Sequence, residues 1–460
     1  MRKRLLGVVL AVGGLLALAV FNAPDLKAIR PSLEPVANAE VERTNQLSGL
    51  NSCFWVGTVS PSTLNILFPD AGALYWVTQV RLPKGAKLAL EGQYPHARHM
   101  SFNAYVGGAP VDRINDLLIP PLPGASNPFL PGAARDSRQR GYRVEIAERA
   151  LVPGEVLDDA SRQPGTLYVP QGENLQQLYY RVYVPDQGLD IQGGVPLPEP
   201  LLTLADGQQL RGEALCKAVV VRDAAINDVR APAEALNAMK QIAGATSPYH
   251  PAQLAPAWNA FFNAPLAATN LLQGTPYALL RQFMDSTRRG GFFSTIDNTY
   301  MSTYVDNRIG DVLVLQAKAP TTPHTRSGET TMQAAQLRYW SLCKYRSLSD
   351  TAVDGCLYDE QVPVDAAGDY TIVVSTAAQR PANARAECGV AWLDWGTAGD
   401  GIGNPHGGFL VFRHMMPAAD FTRSLFATHK PGEEQQVLGE FYPRPRYQSR
   451  AEFEQRGCKR

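Results

Sequence analysis

The chain has 460 residues, and its 43 Lys plus Arg balance 43 Asp plus Glu, for a formal net charge of zero. Neither sign runs in blocks, so nothing in the chain matches a phosphate backbone, and a nucleic-acid partner is not expected. A chain of this length can bury a large core, which predicts two or three domains.

The N-terminus reads Met1-Arg2-Lys3-Arg4 and then runs almost without polarity from Leu5 to Phe21. A basic start before a short apolar run is the pattern of a secretory signal. The run is slightly short of the roughly 20 residues that a membrane span needs. Cleavage is therefore expected, leaving a mature chain without a transmembrane span, secreted or periplasmic. Small-residue cleavage sites stand at Ala17-Leu18-Ala19 and at Ala37-Asn38-Ala39, so 1–39 is assigned to signal and pro-region with the cut point open. No Cys flanks the apolar run, and the twin-arginine setting is absent.

A first β domain is expected over 50–223. Its strand-like blocks are short, rich in Val, Leu, Tyr and Phe, and separated by Gly, Pro, Asn and Asp clusters. It includes a long Pro- and Gly-rich passage from Gly107 to Gly132. Residues 224–291 change texture. Ala235, Leu236, Met239 and Ile242 have helical spacing ending at Gly244, Trp258, Phe261 and Phe262 recur similarly, and Pro276 to Arg288 reads as another helix ending at Gly290-Gly291. This predicts a helical connector packed between two β domains. The second β domain is expected over 292–430, with Lys318 to Met332 as an inserted loop. In the tail, 431–460, Ser449 is placed to cap a short helix that stops near Gly457.

The two β domains look like copies. Gly85-Ala86-Lys87-Leu88-Ala89-Leu90-Glu91 is answered by Gly310-Asp311-Val312-Leu313-Val314-Leu315-Gln316, and Ala97-Arg98-His99-Met100-Ser101-Phe102 by Leu337-Arg338-Tyr339-Trp340-Ser341-Leu342. Tyr142 to Ile146 is answered by Tyr370 to Val374, and Tyr180-Arg181-Val182-Tyr183-Val184-Pro185 by Phe412-Arg413-His414-Met415-Met416-Pro417. Each pair is weak alone, but four in the same order imply a duplication. The fold class expected is mainly β, as two related antiparallel sandwich or jelly-roll-like domains with a helical connector.

Six cysteines follow the apolar run: Cys53, Cys216, Cys343, Cys356, Cys388 and Cys458. None forms a C-x-x-C pair and no His cluster accompanies them at zinc spacing, so no metal is expected. An even number in an oxidising compartment reads as disulfides. Fifteen pairings are possible in principle. The duplication favours Cys53–Cys216 bracketing the first copy, with Cys343–Cys356 as a local staple and Cys388–Cys458 tying down the tail.

The run Gly92-Gln93-Tyr94-Pro95-His96-Ala97-Arg98-His99-Met100-Ser101, with Arg181-Val182-Tyr183-Val184-Pro185-Asp186 downstream, resembles exported bacterial proteins of the families called domains of unknown function 1254 and 1214. Those families share a strand reading roughly Y-P-x-A-R-Y-x-S and a later R-L-Y-x-P. Here His99 replaces the usual Tyr and Val182 replaces Leu. Matching positions cover about a third of the first copy, and the second copy only through Leu337 to Ser341 and Arg413 to Pro417. The resemblance implies an all-β fold and an envelope or extracellular location, and it brings no catalytic residues.

Candidate sites are few. No Gly-x-Ser-x-Gly elbow occurs. Ser341-Leu342-Cys343-Lys344 fits the Ser-x-x-Lys formula, but it lies in a strand-like segment rather than at a helix start, and coincidence is the better reading. His96 and His99, three apart on a strand, point to opposite faces and do not share a metal easily. His99, Ser101, Asn103 and Tyr105 share one face, read first as the solvated side of a half-buried strand and second as a binding strip. The glycine-rich Asp394 to Asn404 lacks both the last glycine of a dinucleotide loop and the closing Glu of a calcium loop, so it reads as a surface turn.

The repeated arginines are the most informative feature. Arg181 shares a strand face with Tyr179 and Tyr183, and Arg98 shares one with Met100 and Phe102. Arg98, His99, Tyr179, Arg181 and Tyr183 are therefore the candidate ligand-binding set, suited to an anionic or sugar-like molecule. The competing role is an Arg–carboxylate pair that holds the sheets in register, and recurrence in both copies favours that scaffold role. Taken together, the sequence is read as an exported protein that binds a small molecule or an envelope component, with no cofactor. The alternative is an exported hydrolase or lyase using Glu91 or Asp116 with His99.

Overall fold

The computed structural model describes residues 31–458 except 48–49, 51, 152–156, 173–174, 222–225, 242–255, 272–274, 289–290 and 292. The N-terminal apolar run and the Ala17-Leu18-Ala19 site lie outside the described residues, as do Ile242, Gly244 and Gly290.

Strand β1 (Ser32–Pro35) and helix α1 (Asn38–Leu47) come first. The first half then contains β2 (Gly57–Val59), β3 (Ala73–Arg81), β4 (Lys87–Gln93), β5 (Ala97–Val106), β6 (Ala109–Asn115), β7 (Gly141–Arg149), β8 (Thr166–Pro170), β9 (Leu175–Pro185), β10 (Glu199–Thr203), β11 (Gln209–Leu210), α2 (Gly212–Ala218) and β12 (Val220–Val221). The connecting region holds β13 (Asn227–Arg230), α3 (Ala233–Lys240), β14 (Asn259–Ala260), α4 (Ala264–Ala268) and α5 (Thr275–Gln282). The second half contains β15 (Asn298–Asp306), β16 (Val312–Lys318), β17 (Leu337–Tyr345), β18 (Val353–Tyr358), β19 (Asp369–Ser375), β20 (Ala391–Asp394), β21 (Gly407–Pro417), α6 (Glu434–Leu438), β22 (Arg444–Gln448) and α7 (Arg450–Glu454).

The fold is mainly β, and each half is a sandwich. In the first, an inner sheet ordered β12-β3-β9-β5-β6 packs on an outer sheet ordered β11-β10-β4-β7-β8. In the second, β14-β15-β21-β17-β18 packs on β22-β16-β19-β20. The orders match strand for strand apart from the edge strand β11, which has no counterpart, and all four sequence pairs fall on equivalent strands: β4 with β16, β5 with β17, β7 with β19, β9 with β21. A further match lies in the backbone. Val184 and Met416, each just before a proline, have φ of 48° and 45°. Their amides donate to the carbonyls of Gly72 and Asp297. A left-handed conformation is uncommon for such residues, so its recurrence reflects the same local geometry.

Period-two alternation fills the two sandwich cores. Met100, Phe102, Tyr180 and Val182 of the first inner sheet meet Leu88, Leu90, Tyr142 and Val144 of the outer one. Trp340, Leu342, Leu410 and Phe412 meet Leu313, Leu315, Ile372 and Val374 in the second half. The opposite faces of the two inner sheets are buried as well, because they face each other: Tyr75, Tyr179 and Tyr183 share a cluster with Tyr339, Tyr358 and Met415.

Loops cross this interface reciprocally. The segment before β3 reaches the second half, where the Phe68 and Pro69 carbonyls accept from Tyr345. The segment before β15 reaches the first half, where the Phe293 and Ser294 carbonyls accept from Tyr105.

Several expectations need correction. The sheets are not purely antiparallel, since β7–β8 and β19–β20 pair in parallel at the same place in each half. The connecting region is only partly helical: β14 extends the second inner sheet, and β13 pairs with β1. Its last helix, α5, stops at Gln282, short of Arg288. The tail is no appendage, because β22 supplies an edge strand to the second outer sheet. Ser449 does cap α7, accepting from the Glu452 amide at 3.1 Å. The bridges are Cys53–Cys216, Cys343–Cys356 and Cys388–Cys458, as the sequence reading paired them. Cys343 and Cys356 stand opposite each other on β17 and β18, so this bridge clips a hairpin.

Candidate functional site

The inner face of each half presents an arginine between tyrosines. Arg181 on β9 lies opposite Tyr75 of β3 and Ser101 of β5. Arg413 on β21 lies opposite Tyr300 of β15 and Ser341 of β17, which is the same arrangement. Both arginines are buried, at 4% exposure each. Where the two faces meet they line a cavity of about 130 Å³ together with Tyr75, Tyr179, Tyr183 and Tyr300. Phe68 and Phe293 also line it, with left-handed φ of 54° and 51°. That conformation costs a phenylalanine about 1–3 kcal/mol. It coincides with the carbonyls of Phe68 and Phe293 accepting from Arg413 and Arg181.

The two guanidinium groups differ in their partners. Arg413 Nη1 lies 3.5 Å from Asp70, a carboxylate with no exposed surface. Asp70 is held by Tyr339 Oη at 2.7 Å, Ser341 Oγ at 2.6 Å and the Gly72 amide at 2.9 Å. Arg413 also donates to the Tyr345 hydroxyl, to Cys343 Sγ and to the Phe68 carbonyl. Arg181 donates only to neutral groups, the Tyr105 hydroxyl at 2.5 Å and the Phe293 carbonyl. Among the described residues no carboxylate lies within ion-pair distance of it. The rings of Tyr75 and Tyr179 approach it at 4.4 and 5.7 Å, which supplies some cation–π compensation. Burial opposes the charge on Arg181, yet the surrounding hydroxyls, Tyr105 foremost, hold its proton affinity above the ordinary arginine value. Burial raises the Tyr75, Tyr179, Tyr183 and Tyr300 phenols, so all four face the cavity uncharged.

The chain matches no family model and no curated protein in sequence. Two solved structures are similar to it in shape. One is an uncharacterised protein from Burkholderia cenocepacia, 13% identical with a TM-score of 0.43, covering 90% of this chain and 88% of that one. The other is a protein from Vibrio parahaemolyticus, 10% identical with a TM-score of 0.38, covering 89% of this chain and 96% of that one.

Of the sequence-derived set, Tyr179, Arg181 and Tyr183 line the cavity, while Arg98 and His99 do not. Arg98 is an interface clamp: it crosses to Asp359 and Glu360 of the second half. The relation is mutual, for Arg338 reaches back to within 3.7 Å of Asp116 in the first half. Asp116 and Asp359 hold equivalent places, each accepting an amide 3.0 Å away, from Met100 and Trp340 respectively.

His99 is not on a solvated face, as the sequence implied. The second half covers that face, and His99 Nδ1 bonds Asp116 at 2.7 Å with neither side chain exposed. So Asp116 does meet His99, as the enzyme alternative requires, but the pair is sealed behind Tyr183, whose ring lies 5.5 Å from the imidazole. Glu91 is remote from both and pairs with Arg143 and Arg211 on the first outer sheet. Ser341 and Lys344 are committed separately, to Asp70 and to Asp354. The loop over Asp394 to Asn404 is more than a surface turn, because its Asp400 is buried and pairs with Lys240 of α3. Asp70 lies close to Cys343 and Cys356, but those sulfurs are bonded to each other, leaving no metal-ligand set there.

Sequence reasoning missed Tyr75, Tyr300 and Asp70. Tyr75 and Tyr300 precede the first repeated block of each copy, and each lies opposite its arginine only through non-consecutive strand pairing. Aligning the copies farther upstream was the one available signal.

Proposed function

We propose that this protein is exported and binds a small molecule in the cavity between its two halves. The observation that carries the reading is the pair of buried arginines, Arg181 and Arg413, facing one aromatic-walled space. Concave, mostly apolar walls with a few fixed polar groups are the usual make-up of a ligand site. Three disulfides support an oxidising destination, secreted or periplasmic. Among the described residues no helix is long and apolar enough to cross a membrane. Strand β1 pairs with β13, and Val41 and Thr44 of α1 are buried. Cutting after Ala39 would remove β1, which favours the earlier cleavage site.

The test is native mass spectrometry of protein purified from its own host, with the mature N-terminus read from the same spectrum. A copurifying small molecule, lost when Val411 in the cavity wall is changed to Trp, is the expected result. A full-length cytoplasmic chain would remove the export reading. A Val411→Trp protein that keeps the molecule would move the site elsewhere.

A further inference from the structure

Resting on the cavity reading, we infer that the ligand is a small organic carboxylate with a compact apolar body, and that its charged group sits against Arg181. The argument comes from a charge facing the arginine that the two copies do not share. In the first half Asp70 precedes β3, its Oδ1 accepting the Gly72 amide and its backbone carbonyl the Ala73 amide at 3.1 Å. In the second half Thr295 holds that place before β15: its Oγ1 accepts the Asp297 amide at 3.2 Å and its carbonyl the Asn298 amide at 3.2 Å. The turn is the same, but the carboxylate is gone. Asp70 crosses to Arg413, so its counterpart would cross to Arg181, where Thr295 brings no charge. Asp297 does not substitute, because Arg113 engages it at 2.7 Å.

The consequence is visible in the cavity lining. Among the described residues, Arg181 Nε and the Tyr179 hydroxyl are buried without a hydrogen-bond partner, and both residues line the cavity. Each is at least nine-tenths buried. A buried guanidinium without an anion is costly, as are donors left unmade. A carboxylate in the cavity supplies the missing charge and accepts from both Arg181 and Tyr179. Arg413, already matched by Asp70, asks for no second anion, so one negative charge fits and two do not. Phe68, Phe293 and the tyrosine rings provide flat apolar walls, which select a compact ring-bearing or short-chain acid over a sugar phosphate.

The experiment uses the full mature protein with its disulfides intact. Binding of benzoate, cyclohexanecarboxylate and hexanoate is measured by calorimetry and thermal shift, each against its neutral amide, with chloride as a further arm. The wild type should favour at least one acid over its amide by about tenfold or more. Thr295→Asp restores the absent carboxylate and should raise the melting temperature while abolishing acid binding. Thr295→Asn, neutral and of similar shape, should leave acid binding within about threefold.

Equal affinity for acid and amide, or acid binding that survives in a folded Thr295→Asp protein, would overturn the carboxylate while leaving the cavity reading standing. A response to chloride alone would reduce the site to a halide site and also overturn it. Failure of every acid, amide and chloride to move the wild-type melting temperature would sink both readings together. Should Thr295→Asp not fold, Arg181→Gln gives the same discrimination, since it must lose preference for acid over amide.

Discussion

Arg181 and Arg413 occupy one position in two copies of the same fold, with the same facing tyrosine, the same serine opposite and the same backbone carbonyl across the interface. One has a carboxylate, and among the described residues the other does not. The pairing of Arg413 with Asp70 is self-contained: a charge, its counter-charge and donors from Tyr339 and Ser341. The environment of Arg181 is the same frame with its acid removed. A repeated scaffold thus carries a structural ion pair at one end and an unmatched cation at the other. The difference rests on residues outside the strands, Asp70 and Thr295.

The largest effect is expected where the ion pair is complete. Arg413→Ala should strand Asp70, and Asp70→Ala should strand Arg413, each in a site with almost no exposure. Removing one partner of a buried pair costs about 3–5 kcal/mol. Equilibrium denaturation under non-reducing conditions measures this. Losses under about 1 kcal/mol for both would show that the pair is solvated and the contrast with Arg181 unfounded.

Arg181→Ala comes next, and here the structure revises the symmetric expectation that the two arginines behave alike. Its removal strands no described acid: the Phe293 carbonyl and the Tyr105 hydroxyl each lose a charged donor, but Tyr105 still donates to the Phe293 and Ser294 carbonyls. The expected loss is about 1–3 kcal/mol, the worth of hydrogen bonds from a charged donor, and clearly below that of Arg413→Ala. A cost equal to that of Arg413→Ala would mean that the two sites are equivalent after all.

A smaller effect is expected for Thr295→Ala. It removes one acceptor for the Asp297 amide, worth about 0.5–1.5 kcal/mol. Asp70→Ala removes the matching acceptor together with a charge, so the ratio of the two losses measures how much the acid adds to the turn. Losses of similar size would say that the turn, and not the charge, is what Asp70 supplies.

Much of this frame was legible in the sequence. The block pairs could be found because strand alternation and the Arg-x-x-Ser spacing survive in both copies, and the cysteine pairing followed from where those copies begin and end. The burial of the His99, Ser101, Asn103 and Tyr105 face was not legible. A polar-alternating strand reads as half exposed unless a second sheet covers it, and here the covering sheet belongs to the other half. The partners of Arg98 were hidden for the same reason: Asp359 and Glu360, which give it its scaffold role, lie more than 250 residues away in the chain. Asp70 and Thr295 could not be recognised as counterparts because they sit in turns, where hydrogen-bond geometry is conserved by different side chains.

The last contrast is between Val182 and His414, which hold the same place beside the two arginines. Burial pushes the His414 imidazole down to about 3, from an ordinary value of 6.5. Its Nδ1 accepts the Leu425 amide at 3.2 Å, which the neutral ring alone can do. The folded protein therefore binds fewer protons than the unfolded chain between these two values. Linkage then makes the stability from this group fully present above pH 6.5 and progressively lost as pH falls toward 3. Within that window one group contributes about 1.4 kcal/mol per pH unit. His96, lowered by burial and by Arg140, adds a dependence of the same sign from the first half. Asp116 and Glu360, each held below the ordinary range against the effect of burial, by Arg338 and Arg98 respectively, lose their contribution only as pH falls below about 4. Asp359 is raised by burial despite Arg98, so its contribution has the opposite sign and is lost as pH rises through its folded value. Replacing His414 by Val, the residue at the equivalent place in the first half, isolates one part of this. Denaturation measured from pH 4 to pH 6 should show a slope shallower by about one proton than in the wild type. An unchanged slope would mean that His414 takes up a proton without unfolding, and that the space around it admits water.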